Sequence, residues 1–152
     1  MLEHRKVRYC LLFFSMLVIA SYAGIAQEGH PLDEGMPEDA QPQYEKITCE
    51  ELKKLIDTKA TDKIVIVDVS PKEAYDEAHI PGAVSFPWAT QIKPPITLPR
   101  NKTLILYCPC VAEEDSTDIA NKLRMFGYHN MKLLLGGSLK WDELKYPMEK
   151  TK

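Results

Sequence analysis

The stretch from Thr103 to Leu123, TLILYCPCVAEEDSTDIANKL, constrains the fold more than any other part of the chain. Thr103 to Tyr107 is a short β-prone, largely apolar run that suits a buried strand. Cys108 stands at its carboxyl end, and Pro109 stops the strand. Ile119, Ala120, Leu123, Met125 and Phe126 then keep an apolar helical face, with Gly127 placed to end the helix. Asp115, Ser116 and Thr117 all suit its N-cap. The layout is strand, cysteine, short loop, helix start. It aims unpaired backbone N–H groups and a partial positive charge at one sulfur. A thiol held there loses its proton more readily than a free one, and the thiolate is the nucleophile.

The same alternation runs through the rest of the chain. Tyr44 to Ile47 suits a short first strand, and Thr48-Cys49-Glu50-Glu51 is a capping box for a helix with Leu52, Leu55 and Ile56 on one face. Cys49 in that first turn reads as a semi-buried thiol without a role. Ile64 to Val69, IVIVDV, is an unbroken run expected of a strand covered on both faces, with Asp68 near its carboxyl end. Ser70-Pro71-Lys72-Glu73 reads as a second capping box, opening a short helix that ends before His79-Ile80-Pro81-Gly82. Ala83 to Phe86 is a third strand candidate. Trp88 to Lys102, broken by Pro94, Pro95 and Pro99, reads as a surface connection. Met131 to Leu135 is the last strand, and Gly136-Gly137 turns into a helix from Ser138 to about Leu144. Strands alternating with helices predict an α/β fold, a parallel sheet flanked by helices, with chemistry at the carboxyl ends of the strands. Cys108 and Asp68 both fall there.

The N-terminus belongs to a different class of segment. Arg5, Lys6 and Arg8 precede an apolar run from Leu11 to Ala23, and Gly24 and Ala26 fit a cleavage site before Gln27. Residues 1–26 are expected to be an export signal, with an uncleaved membrane anchor as the alternative; the run falls short of the roughly 20 residues of a spanning helix. Either reading puts the domain outside the cytoplasm, in a periplasm or facing outward from the membrane. Residues 27–43, rich in Pro, Gly and acid, read as a flexible leader, and 44–150 as one domain. Without residues 1–26 the 19 basic and 22 acidic side chains fall to 16 and 21. A negative domain with no basic stripe is a poor partner for nucleic acid. Cys49, Cys108 and Cys110 remain, an odd number that leaves at least one thiol over.

Taken in order, IVIVDV, HIPGAVSFP, LILYC, LLLGGSLKW and YP resemble a single rhodanese-like (sulfurtransferase) domain over about Tyr44 to Met148. The resemblance implies a rhodanese-like α/β fold around a central parallel five-stranded sheet, with helices on both faces. It matches Cys108 to the family's active cysteine, in the loop after the fourth strand. It also implies double displacement. The cysteine takes sulfane sulfur from a donor such as thiosulfate, a persulfide or a polysulfide, and passes it to a thiol, cyanide or a protein acceptor. No cofactor or metal is implied. The family's loops often carry Arg or Lys soon after the cysteine. Here the loop runs Pro109, Cys110, Val111, Ala112, Glu113, Glu114, Asp115 before Ser116, longer and acidic. Ser70 stands where an Arg often follows the strand Asp, and Ala78 where a Gly usually precedes the His-Ile-Pro-Gly segment. Without a basic residue, an anionic donor loses a charge-assisted contact.

Cys110 reads as a second thiol that attacks a Cys108 persulfide, as a disulfide partner, or as a passive loop residue. Asp68 is expected to order the adjacent turn and His79 to fix backbone geometry, both in supporting roles. Glu113, Glu114 and Asp115 suit a helix start but oppose thiolate formation by like charge. A related cysteine phosphatase needs Arg six residues after the cysteine, where Glu114 stands, so that class is excluded. A catalytically weak module that carries sulfur or binds a partner is the surviving alternative to the enzyme.

Overall fold

Val, Ile, Leu and Tyr crowd the middle of a five-stranded sheet, because central strands of a parallel sheet are covered on both faces. The computed structural model describes residues 43–151, so the expected export signal and all but the last residue of the expected leader lie outside the described residues. In chain order the elements are β1 (Glu45–Ile47), α1 (Cys49–Asp57), β2 (Ile64–Asp68), α2 (Lys72–Glu77), β3 (Val84–Ser85), β4 (Thr103–Tyr107), α3 (Glu114–Met125), β5 (Met131–Leu134) and α4 (Gly137–Glu143). The spatial order is β1-β5-β4-β2-β3, and every pairing is parallel. β4 lies at the centre, with Asp68 of β2 registered opposite Tyr107 of β4.

Each face of the sheet has its own core. On one, Leu104, Leu106 and Cys108 pack with Ile119, Ala120 and Leu123 of α3. On the other, Ile105 and Tyr107 pack with Leu52 of α1 and Trp141 of α4. The alternation along β4 delivers its side chains to opposite faces, and Cys108 continues that register toward α3. No helix among the described residues is long and apolar enough to cross a membrane.

Three local expectations need correction. Ser70 does not cap α2: Pro71 is the N-cap, without a side-chain cap bond. Ser70 is buried instead, its N–H donating to Asp68 Oδ1 at 2.8 Å. Second, α3 begins at Glu114 with Glu113 as N-cap, so Asp115, Ser116 and Thr117 lie within its first turn. Third, Met125 is 86% exposed. It follows Leu123 by two residues, a spacing that places the pair on different sides of a helix.

Candidate active site

β4 ends against a polar support. Tyr107 is fully buried, its hydroxyl accepting the Ile80 N–H at 3.0 Å, and the Asp68 charge acts on the phenol. Burial, and then the Asp68 charge, push the phenol proton affinity far above its ordinary value. Asp68 thus holds the Ser70 turn at the end of β2, beside its register partner Tyr107 and immediately before the cysteine. Cys108 follows with no exposed surface. Its carbonyl accepts the Ser138 N–H at 3.1 Å, which draws the start of α4 onto the loop. Gly137 makes that approach possible, because a Cβ there would lie 1.9 Å from the Cys108 carbonyl oxygen. Its φ of +55° adds a second reason for glycine.

Beyond Cys108 the chain makes a tight loop in which Cys108 and Cys110 are joined as a disulfide, their Cα atoms 5.2 Å apart. Pro109, Val111 and Ala112 are exposed and Cys110 is half-buried. Among the described residues, the loop amides of Cys110 to Ala112 have no backbone acceptor. α3 opens after them with no side-chain cap bond at Glu113. Ser116 is buried; its Oγ donates to the Glu113 carbonyl at 3.0 Å and lies 3.9 Å from Cys108 Sγ. Cys110 Sγ lies 3.5 Å from Asp115 Oδ2.

Glu113 behaves unlike the acids after it. It sits in the left-handed region (φ 57°, ψ 25°) and is only 4% exposed. Its carboxylate accepts from Lys46 Nζ at 2.7 Å and from the Gly136 N–H at 2.8 Å. The loop is therefore pinned to β1 and to the β5–α4 turn by a residue whose charge is already matched. Like-charge opposition to a thiolate falls to Glu114 and Asp115, both exposed on the first turn of α3. Sequence reasoning missed Lys46, Gly137 and Tyr107 as parts of this site. The Gly136-Gly137 pair was the one available signal, since two adjacent glycines mark a close backbone approach.

The other candidates stand apart from the sulfurs. His79 is buried, stacks on Tyr75 with ring centroids 4.0 Å apart, and places Nδ1 2.7 Å from the Tyr75 carbonyl. Its backbone pairs with Glu149, so it fixes the turn before β3 against the C-terminal segment. Cys49 is buried at the start of α1 with its thiol pushed up to about 11 by burial, then by the Glu50 charge. Cys108 Sγ, Cys110 Sγ and an Asp115 carboxylate oxygen lie within 4.8 Å of one another. With the two sulfurs bonded to each other, they offer no thiolate to a metal.

Similarity to known proteins agrees with this geometry. A family model described as the rhodanese-like domain matches residues 48–144. The crystal structure of the BH2092 protein from Bacillus halodurans superposes with a TM-score of 0.63 at 32% identity, covering 70% of this chain and 77% of that one. The adenylyltransferase and sulfurtransferase UBA4 of Lodderomyces elongisporus is 32% identical over 123 residues, 76% of this chain but 26% of that protein. A Haloferax volcanii protein provisionally named thiosulfate sulfurtransferase is 33% identical over 101 residues, 56% of this chain and 35% of its own length. The chain thus spans about a third or less of these two curated relatives.

Proposed function

The chain belongs to the rhodanese-like domain family, and on that premise we propose that it is an exported sulfurtransferase working through a persulfide on Cys108. The observation that carries this reading is the position of Cys108. It directly follows the central strand, in a loop whose Cys110 to Ala112 amides have no backbone acceptor, before a helix without a side-chain cap bond. Once reduced, the Cys108 thiolate attacks the sulfane sulfur of a donor, and the remainder of the donor leaves with the bonding pair. A sulfur–sulfur bond forms on Cys108 as the donor's breaks. A thiol, cyanide or protein-borne thiolate then attacks the outer sulfur and releases the Cys108 thiolate. The amides and the helix start hold negative charge at each stage, which lowers the barrier to both displacements.

Glu114 and Asp115 set the donor class. Two exposed carboxylates on the first turn beside the sulfurs repel a dianion, and the loop from Pro109 to Asp115 carries no basic residue to offset this. Thiosulfate is therefore the poorer donor, and persulfides on neutral thiols the better ones. The test is transfer from each donor to cyanide by the reduced protein, followed as thiocyanate. The reading expects a higher kcat/KM for a neutral persulfide than for thiosulfate. No thiocyanate with any donor, from a folded protein, would contradict turnover.

A second reading is favoured by one observation, the complete burial of Cys108 in the bridged state. A module of this kind would hold sulfur, or bind a partner, without turning over. Export rests on the basic cluster and apolar run of residues 1–26. N-terminal sequencing of protein from outside the cytoplasm is expected to begin near Gln27, and an intact Met1 in the membrane fraction would favour the anchor.

A further inference from the structure

We propose that the Cys108–Cys110 bridge is one half of a second activity, release of the carried sulfur as hydrosulfide with electrons from a dithiol partner. This rests on the sulfurtransferase reading and adds to it the class of reductant and the sulfur at which it enters.

Three features of the loop lead there. The two sulfurs are bonded with one residue between them, so a Cys110 thiolate reaches Cys108 Sγ without rearranging the sheet. The pair is unequal: Cys108 has no exposed surface, whereas Cys110 is half-buried between exposed Pro109 and Val111. The accessible sulfur also has acid beside it, with Asp115 Oδ2 at 3.5 Å and Glu114 exposed on the same turn.

The chemistry balances in three displacements. The Cys110 thiolate attacks the inner sulfur of the Cys108 persulfide; the Cys108–Cys110 bond forms, the bond to the outer sulfur breaks, and hydrosulfide leaves. A partner thiolate then attacks Cys110 Sγ, the sulfur it can reach, and expels the Cys108 thiolate. The partner's second thiol attacks the partner sulfur of that mixed disulfide and expels the Cys110 thiolate. Two electrons and two protons pass from the dithiol to the domain, and the partner departs as a disulfide.

Two selections follow from the same geometry. With a monothiol, the Cys108 thiolate lies one residue from the mixed disulfide and recloses the bridge faster than a second molecule arrives. A dithiol competes because its own second attack is also intramolecular. The acids beside Cys110 disfavour anionic reductants, so the partner presents its dithiol with neutral or cationic flanks.

The full-length protein tests this in two arms. In the first, reduced wild type freed of reductant receives one equivalent of polysulfide sulfur. It is expected to release one hydrosulfide per chain and lose two thiols, while Cys110→Ser keeps the sulfur on Cys108 at least about tenfold longer. Equal persulfide lifetimes would overturn the release step. A Cys110→Ser protein that never takes up sulfur would instead overturn the sulfurtransferase reading beneath it. In the second arm the bridged protein meets dithiothreitol or glutathione at equal thiol concentration. Dithiothreitol is expected to restore both thiols roughly tenfold faster, and Asp115→Asn to narrow the gap by speeding glutathione. Equal rates in wild type would overturn the dithiol assignment whatever the first arm shows.

Discussion

Two helices of this domain begin beside cysteines, and they are built in opposite ways. At α1, Thr48 Oγ1 accepts the Glu51 N–H and the Glu51 carboxylate accepts the Thr48 N–H, a completed capping box. Cys49 inside that turn is buried, and its thiol is pushed up to about 11. At α3 no side chain caps the helix, the N-cap residue is left-handed Glu113, and among the described residues the Cys110 to Ala112 amides before it have no backbone acceptor. Cys108 and Cys110 lie in that loop. On the proposed function, the open start of α3 favours a thiolate at the nearby Cys108 once the bridge is reduced. At α1 burial, and then the Glu50 charge, hold the proton on Cys49.

The sharpest way to break the comparison is to exchange the sulfurs' fates. Cys108→Ser is expected to lower persulfide-to-cyanide transfer by on the order of a thousandfold or more, the usual cost of losing a nucleophile. Cys49→Ser is expected to stay within about twofold of wild type, since its thiol meets no donor. Steady-state thiocyanate formation checks both. A large loss in the Cys49 variant, with unchanged unfolding, would erase the distinction.

Next in size is the backbone approach that shapes the open end. Gly137→Ala sets a Cβ against the Cys108 carbonyl at a positive φ. It is expected to destabilise the fold by about 3 kcal/mol and slow transfer in the fraction still folded. Glu113→Ala follows, leaving the Gly136 N–H and half-exposed Lys46 without their shared acceptor, at a cost of about 2 kcal/mol. Glu113→Gln, which keeps an acceptor for Gly136, is expected to recover much of that loss. Urea unfolding midpoints order the three. At the closed end, Thr48→Ala removes one cap bond at a cost of about 1 kcal/mol and leaves transfer unchanged.

The contrast was only partly legible in the sequence. The order of strands and helices, the parallel sheet and the placing of Cys108 at a strand end all follow from runs a few residues long, such as IVIVDV and TLILY. The Thr48 box was readable for the same reason, since both partners lie within one turn. The Ser70 box looked the same and did not form, because Asp68 on the neighbouring strand end takes the Ser70 N–H. Glu113 was hidden for the opposite reason. Within an acidic run it reads as one more repelling charge, and its partner Lys46 lies 67 positions away in the chain. A contact across the sheet leaves no local pattern.

A smaller effect tests the closed end by pH. The folded state holds the Cys49 proton up to about 11, above the ordinary value of 9.0. The native state therefore binds more protons than the unfolded one between those values. Its contribution is complete below about pH 9 and is lost as pH rises toward 11, with a slope of at most about 1.4 kcal/mol per unit. Cys49→Ala is expected to flatten that part of the stability profile relative to wild type.

On the proposed function, sulfur enters at Cys108, beside the open helix start, and nowhere else. The direct measurement gives the reduced Cys110→Ser protein one equivalent of isotopically labelled sulfane sulfur, followed by peptide-level mass spectrometry under non-reducing conditions. One labelled sulfur is expected on the peptide carrying Cys108 and none on the peptide carrying Cys49. Label on Cys49, or divided evenly between the two in a folded protein, would contradict it.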